Sequence, residues 1–245
     1  MNSPLEKPNL ASRIRIVLDH TSHPGNIGSA ARAMKTMGLS RLYLVAPKRF
    51  PSPEAEAMDS GAQDVLQGAI QCETLDEALS GATFAVGLTS RQRDLPHEVL
   101  TAREAAPLIA RHAKDQEVAL LFGNETYGLS NNELTKCQLL VTIPANPDYP
   151  SLNLAAAVQL LSYEVALASE SVQSLVVEPM GDLASLEEIE QFYQHLETTL
   201  VKIGFLDPRH PKKLMPRLRR LFARSRLEKE EINILRGILK EVNKS

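Results

Sequence analysis

Cysteine is nearly missing from this sequence: Cys72 and Cys137 stand alone, with no Cys-x-x-Cys and no histidine at ligand spacing beside either. Neither a disulfide framework nor a zinc site is indicated. Long apolar runs are missing too. None approaches the roughly 18 residues that a membrane helix needs, and the N-terminus lacks a signal-like apolar core, so a cytoplasmic protein with no membrane partner is expected. The histidines share no ligand spacing. His20 and His23 flank one loop, while His97, His112, His195 and His210 are scattered, so no metal is expected. Neither Gly-x-Gly-x-x-Gly nor Gly-x-x-x-x-Gly-Lys-Ser/Thr occurs, which disfavours a dinucleotide dehydrogenase and a P-loop NTPase. No Ser/His/Asp spacing supports a hydrolase, and there is no internal repeat.

What is present is an ordinary globular composition with an uneven charge. Of 245 residues, 43% are hydrophobic and 23% charged, a length that suits one domain with a small appendage. The net charge of −3 hides two blocks. Residues 212–226 hold Lys212, Lys213, Arg217, Arg219, Arg220, Arg224 and Arg226 without an acid, whereas residues 181–200 hold Asp182, Glu187, Glu188, Glu190 and Glu197 without Lys or Arg. In the basic block Leu214, Leu218, Leu221 and Phe222 recur at helical spacing. They are expected to bury one face, leaving the cations to meet phosphate or simply to be solvated.

Short apolar or β-branched runs predict strands at Arg13–Leu18, Arg41–Val45, Ala82–Leu88, Val118–Phe122 and Leu139–Ile143, with Ala69–Cys72 a weaker sixth. Helical patterns lie between them at Ile27–Met37, Ala57–Leu66, Leu75–Ser80, Arg103–Lys114 and Leu152–Ser169. Such alternation predicts an α/β domain, a parallel sheet with helices on both faces. It spans residues 1–170, followed by a linker at 171–182 and a small all-helical extension at 183–245. The extension's helices are expected at Leu183–Ile203, Lys212–Arg224 and Glu228–Val242, with Pro208 and Pro211 separating the first two.

Three loops at the carboxyl ends of predicted strands carry the chemistry, the usual ligand edge of such sheets. The first is Asn26-Ile-Gly-Ser-Ala-Ala-Arg32, and the second Phe122-Gly-Asn-Glu-Thr-Tyr-Gly-Leu129. The third, Ile143-Pro-Ala-Asn-Pro-Asp-Tyr-Pro-Ser-Leu-Asn-Leu154, is stiffened by three prolines and ends in Ser151 and Asn153 at a helix start. Gly123 permits a close backbone approach. Glu125 is placed to hold Arg32 or a backbone amide, or is a surface carboxylate in a tight turn. Arg32 lies within a helix otherwise marked by Ile27, Met34 and Met37, and alone reads equally as a solvated or paired arginine.

In this order the three segments resemble the three motifs of the SPOUT methyltransferases, specifically the TrmH-type ribose 2′-O-methyltransferases. The run from His20 to Leu39 is similar to bacterial tRNA methyltransferases of that branch. The resemblance covers roughly residues 12 to 169, and the basic helical tail has the length and character of the same relatives. It implies a C-terminal trefoil knot in the sheet and S-adenosylmethionine as cofactor. Its implied contacts are Leu88, Thr89, Ser90, Gly123, Ile143, Ser151, Leu152 and Asn153. It also implies a catalytic group of Arg32, Asn26, Glu125, Ser151 and Asn153, with Arg91 and Arg93 joining the tail's cations on RNA. Asn124 departs from the motif, which often carries Arg or Pro there.

The implied reaction moves a methyl group to the ribose 2′-hydroxyl of a cytidine or uridine at the first nucleotide of the tRNA anticodon loop, position 32. A guanidinium titrates near about 13, so making Arg32 a base at neutral pH would cost about 8 kcal/mol; an orienting, oxyanion-stabilising role is expected instead. Other readings are a non-catalytic RNA-binding protein on the same fold and a base-methylating relative. A homodimer through the catalytic domain is expected, with Leu154, Val158, Leu161 and Val165 of the last catalytic-domain helix at the interface.

Overall fold

The computed structural model describes residues 10–90, 98–172 and 182–244. Its centre is a seven-stranded sheet, parallel throughout: β1 (Ile14–Asp19), β2 (Arg41–Val45), β3 (Ile70–Cys72), β4 (Phe84–Leu88), β5 (Val99–Thr101), β6 (Val118–Phe122) and β7 (Leu139–Thr142). Their order across the sheet is β3-β2-β1-β6-β4-β7-β5. Every residue of β1 and β6 is buried, as a strand covered on both faces requires. β6 enters between β1 and β4, and β7 between β4 and β5, an interleaving compatible with a knotted C-terminal half.

One face is covered by α1 (Pro24–Thr36), α5 (Ala102–Ala113) and α7 (Leu154–Val172); the other carries α4 (Leu75–Leu79) and the single turn α6 (Asn131–Leu134). Pro24 stands at the first position of α1, where the N–H it lacks would have no acceptor within the helix. Gly38, at φ 76°, ends it in the left-handed region. A reciprocal capping box between Thr101 and Glu104 opens α5.

Three expectations change. The helix foreseen at Ala57–Leu66 is two short ones, α2 (Pro53–Met58) and α3 (Gln63–Gln67). Ser60 and Gly61 break it with φ of 46° and 94°, and Asp59 Oδ1 accepts the Gly61 amide at 2.9 Å. β5 has no counterpart in the expected strands, because three residues at a sheet edge, with Val99 exposed, form no apolar run. The third concerns α7. Leu154, Val158, Leu161 and Val165 are all buried against the protein's own α1 and α5, each core side chain contributing about 1.5–3 kcal/mol. They cannot form an intersubunit face; the large exposed apolar side chains among the described residues of α7 are Leu160, Tyr163 and Leu167.

The helical tail comprises α8 (Leu186–Lys202), α9 (Leu214–Ser225) and α10 (Lys229–Val242) around a small core of Ala184, Phe192, Tyr193, Leu227 and Ile232. It leans on the amino-terminal edge of the sheet. The Leu186 amide donates to the Ala82 carbonyl at 2.7 Å, and the Leu186 side chain joins the core beneath α4. No residue of α9 is fully buried, and Leu221, expected inside, is 51% exposed.

Candidate functional site

The second loop folds back on itself where β6 ends. A Cβ on Gly123 would stand 2.2 Å from the backbone of Gly128 and Leu129, so only glycine lets the two ends of this loop close. The Gly128 amide donates to the Asn124 carbonyl at 2.8 Å, and Gly128 itself has φ 69°. Buried Asn124 fixes the loop to the first one. Its Nδ2 donates to the His20 carbonyl at 2.7 Å and to Ser22 Oγ at 2.8 Å, while its Oδ1 accepts the Thr126 amide at 2.8 Å. An amide can accept and donate at once, so asparagine here ties two loops with one side chain.

Glu125 is the anchor between the first and second loops. Its carboxylate accepts the Ser22 amide at 2.9 Å, the His23 amide at 3.2 Å and Asn26 Nδ2 at 2.9 Å. Partial burial pushes its pKa up, but the bonds from Asn26 and from backbone amides outweigh that and leave it below the ordinary value. Asn26 passes the connection on: its Oδ1 accepts Asn153 Nδ2 at 3.0 Å. Asn153 Oδ1 in turn accepts the Ala155 amide at 2.9 Å, capping α7. Glu125, Asn26 and Asn153 thus form a polar chain linking all three loops.

Beside this chain, at the carboxyl ends of β6, β4 and β7, lies a cavity of about 280 Å³. Leu88, Thr89, Ser90, Gly123, Ile143, Ser151 and Leu152 line it, and so do Asn124 and Glu125. Asn153 does not; its side chain turns to Asn26. Thr126, Tyr127, Pro150, Leu154 and Ala157 also line it and were not anticipated. For Tyr127 a signal existed, an aromatic ring inside a tight turn of a motif. For Leu154 and Ala157 it lay in the helical period, which places both one turn apart on the wall.

Arg32 is elsewhere. It is exposed, does not line the cavity, and donates through Nη1 to Ser60 Oγ at 3.2 Å. Glu125 holds backbone amides and Asn26, so the expected alternative of an Arg32–Glu125 pair is not formed. Arg91 and Arg93 lie outside the described residues. In the tail, Lys212, Lys213, Arg217, Arg220, Arg224 and Arg226 are exposed. Arg219 is the exception and corrects the picture of a uniform basic face. Its guanidinium makes a two-pronged pair with Glu190 at 2.6 and 2.7 Å and lies 4.5 Å over the Tyr193 ring, so its charge is compensated within the fold.

One grouping among the described residues, Asp19, His20 and Glu133, brings possible ligand atoms within 4.8 Å. Its members already have partners in the fold, though buried Asp19 Oδ1 has none among the described residues. His20 Nδ1 and Asp19 Oδ2 share a 2.9 Å bond, and Glu133 caps the Ser130 amide.

Residues 13–163 match the family model described as the SpoU rRNA methylase family, and residues 187–245 match that of the C-terminal domain of tRNA methyltransferase TrmJ. The chain belongs to the SpoU methylase family. It is 50% identical to the tRNA (cytidine/uridine/adenosine-2′-O-)-methyltransferase TrmJ of Pseudomonas aeruginosa, over 96% of this chain and 95% of that one. The crystal structure of TrmJ from Z. mobilis ZM4 superimposes with a TM-score of 0.82 at 35% identity, covering 94% of this chain and 98% of that one. The SpoU methyltransferase AviRb of Streptomyces viridochromogenes, solved with its cofactor AdoMet, shares 26% identity and a TM-score of 0.52 over 64% of this chain and 60% of its own. The parallel sheet with its helical cover is therefore the SpoU fold, extended by a helical C-terminal domain.

Proposed function

We propose that this protein transfers the methyl group of S-adenosylmethionine to the ribose 2′-hydroxyl of a cytidine or uridine in tRNA. The observation that carries the reading is the junction of the three loops. Apolar walls from Leu88, Ile143, Leu152 and Leu154 suit a purine ring. Hydroxyls of Thr89, Ser90 and Ser151, with the surrounding backbone, suit the polar edges of a nucleoside. The residues therefore fit the cofactor without any metal ligand. When bound, the cofactor supplies an electrophilic methyl on a sulfonium, open to in-line attack.

The chain's own residues position and polarise. The Glu125–Asn26–Asn153 chain holds the three loops in one register, so the acceptor meets a site that is already built; such preorganisation is worth up to about 7–11 kcal/mol. Ser151 orients the edge of the cavity. Arg32 stabilises the forming oxyanion and orients the adjoining phosphate. Because it stands outside the cavity of its own subunit, we infer that the site is completed in a homodimer. Leu160, Tyr163 and Leu167, exposed on α7 beside α1, supply an apolar face for that pairing. Arg91 and Arg93, following the cavity-lining Ser90, and the tail cations Lys212, Lys213, Arg217, Arg220, Arg224 and Arg226 contact RNA phosphates. A tRNA substrate implies the cytoplasm, and no described helix is long and apolar enough to cross a membrane.

The target is the first nucleotide of the anticodon loop. Alkaline cleavage of tRNA treated with enzyme and S-adenosylmethionine tests this directly, since a 2′-O-methyl blocks hydrolysis of the adjoining linkage. A protected gap at position 32 is expected; protection elsewhere rejects the position, and no protection rejects ribose methylation.

A further inference from the structure

Aromatic side chains are few here, six phenylalanines and five tyrosines, and the placement of the tyrosines is uneven. Tyr43 and Tyr193 are buried, each beneath a guanidinium, Arg15 at 4.8 Å and Arg219 at 4.5 Å. Tyr163 belongs to the outer face of α7. Of the remaining two, one lines the cofactor cavity and the other neighbours a residue that does. Tyr127, in the turn between Asn124 and Gly128, lines it yet is 50% exposed; Tyr149, just before the lining Pro150, is 77% exposed. Neither phenol has a hydrogen-bond partner among the described residues.

Both rings are carried on braced turns. Gly128 closes the first turn by its bond to Asn124. In the second, the Tyr149 amide donates to the Asn146 carbonyl at 2.9 Å and the Asp148 amide to Asn146 Oδ1 at 3.0 Å. A tyrosine ring offers a large flat face with only two side-chain torsions to fix. Two rings exposed to solvent, on two loops that border one cavity, therefore offer flat faces on which a planar group can stack.

We propose that Tyr127 and Tyr149 stack on the bases of the reacting nucleotide and its neighbour, holding the acceptor ribose over the cofactor cavity. This rests on the function proposed above and adds the way the acceptor is gripped. Every base presents a π-face, so stacking accepts cytosine and uracil alike, whereas a site built on hydrogen bonds to one base edge would separate them.

The test uses the full-length protein with Tyr127→Ala, Tyr149→Ala and the corresponding Phe variants. Steady-state methylation, equilibrium tRNA affinity over a range of salt, and S-adenosylhomocysteine affinity by calorimetry are measured for each. Stacking of one base is worth about 1–3 kcal/mol, so each Ala variant should lose about 5- to 150-fold in kcat/KM and weaken tRNA binding. The loss should be equal at every salt concentration, because stacking releases no counterions. The Phe variants should stay within about twofold of wild type, with cofactor affinity unchanged in both of them and in Tyr149→Ala. The proposal falls if the Ala variants keep wild-type kcat/KM, if Phe loses as much as Ala, or if cofactor affinity drops in step in Tyr149→Ala. The binding arm is independent of turnover: a wild type that transfers no methyl rejects the function, while the Ala and Phe affinities still decide the stacking.

Discussion

The two ends of this molecule are built on opposite principles. At the carboxyl edge of the sheet, geometry is fixed by polar side chains that bond across long sequence distances: Glu125 to the first loop, Asn26 to Asn153, Asn124 to His20 and Ser22. In the tail, a five-residue core holds three helices together, α9 buries nothing fully, and most cations simply face water. A site that aligns a methyl donor with a hydroxyl needs fixed positions, whereas a surface that meets a phosphate backbone needs charge and reach. Arg32 and Arg219 show how the rule cuts across sequence: the arginine in the motif is exposed, and one from the basic run is locked in an ion pair.

The sharpest break between the two ends comes from Arg32→Ala. Methyl transfer should fall by about 10²–10³-fold or more, the cost of removing one oxyanion donor, while S-adenosylhomocysteine affinity changes by only a few fold. Single-turnover kinetics and calorimetry on the same preparation read both. A near-normal rate would remove Arg32 from the site.

Next in size is the tail. Replacing Lys213, Arg217, Arg220 and Arg224 together by Ala should weaken tRNA binding at low salt and lower the slope of log K against log salt by about 3, at roughly 0.7–0.9 per phosphate. Cofactor affinity should not move. An unchanged slope would make the tail structural only.

Where the tail meets the amino-terminal edge of the sheet, His112 stacks on Phe84 with ring centroids 3.9 Å apart. Burial, and then the charge of Arg226, lower its pKa from 6.5 to about 4. The folded protein therefore binds this proton less readily than the unfolded chain. Stability is full above pH 6.5 and declines as pH falls from there toward 4, by about 3 kcal/mol at most. Thermal unfolding of His112→Gln across this range should lack that decline; an equal decline in wild type and variant would assign it to other groups.

The smallest effect separates two neighbours on α9. Arg219→Ala strands the half-buried Glu190 and should cost about 1–3 kcal/mol of stability, with little change in the salt slope of RNA binding. Arg217→Ala should do the reverse. If both behave alike, the ion pair does not set Arg219 apart.

Much of the catalytic domain was legible because its signals are local. Strands such as Val118–Phe122 are uninterrupted apolar runs, and the three loops carry their glycines, prolines and asparagines in the sequence itself. The Asp59-Ser-Gly break was missed because a left-handed serine has no apolar signature. The inward face of α7 was misassigned because periodicity shows that a stripe exists, not what covers it. Likewise the Glu190–Arg219 pair joins residues 29 apart, and a run of arginines gives no sign of which one turns inward.

Nucleoside mass spectrometry decides whether the methyl group reaches the ribose of tRNA. Unmodified tRNA incubated with the protein and methyl-labelled S-adenosylmethionine, then digested to nucleosides, should yield label as 2′-O-methylcytidine or 2′-O-methyluridine. The unlabelled base fragment should separate from a labelled ribose on fragmentation. Label retained on the base, or cofactor binding with no label in any nucleoside, would show that the protein is not a tRNA ribose methyltransferase.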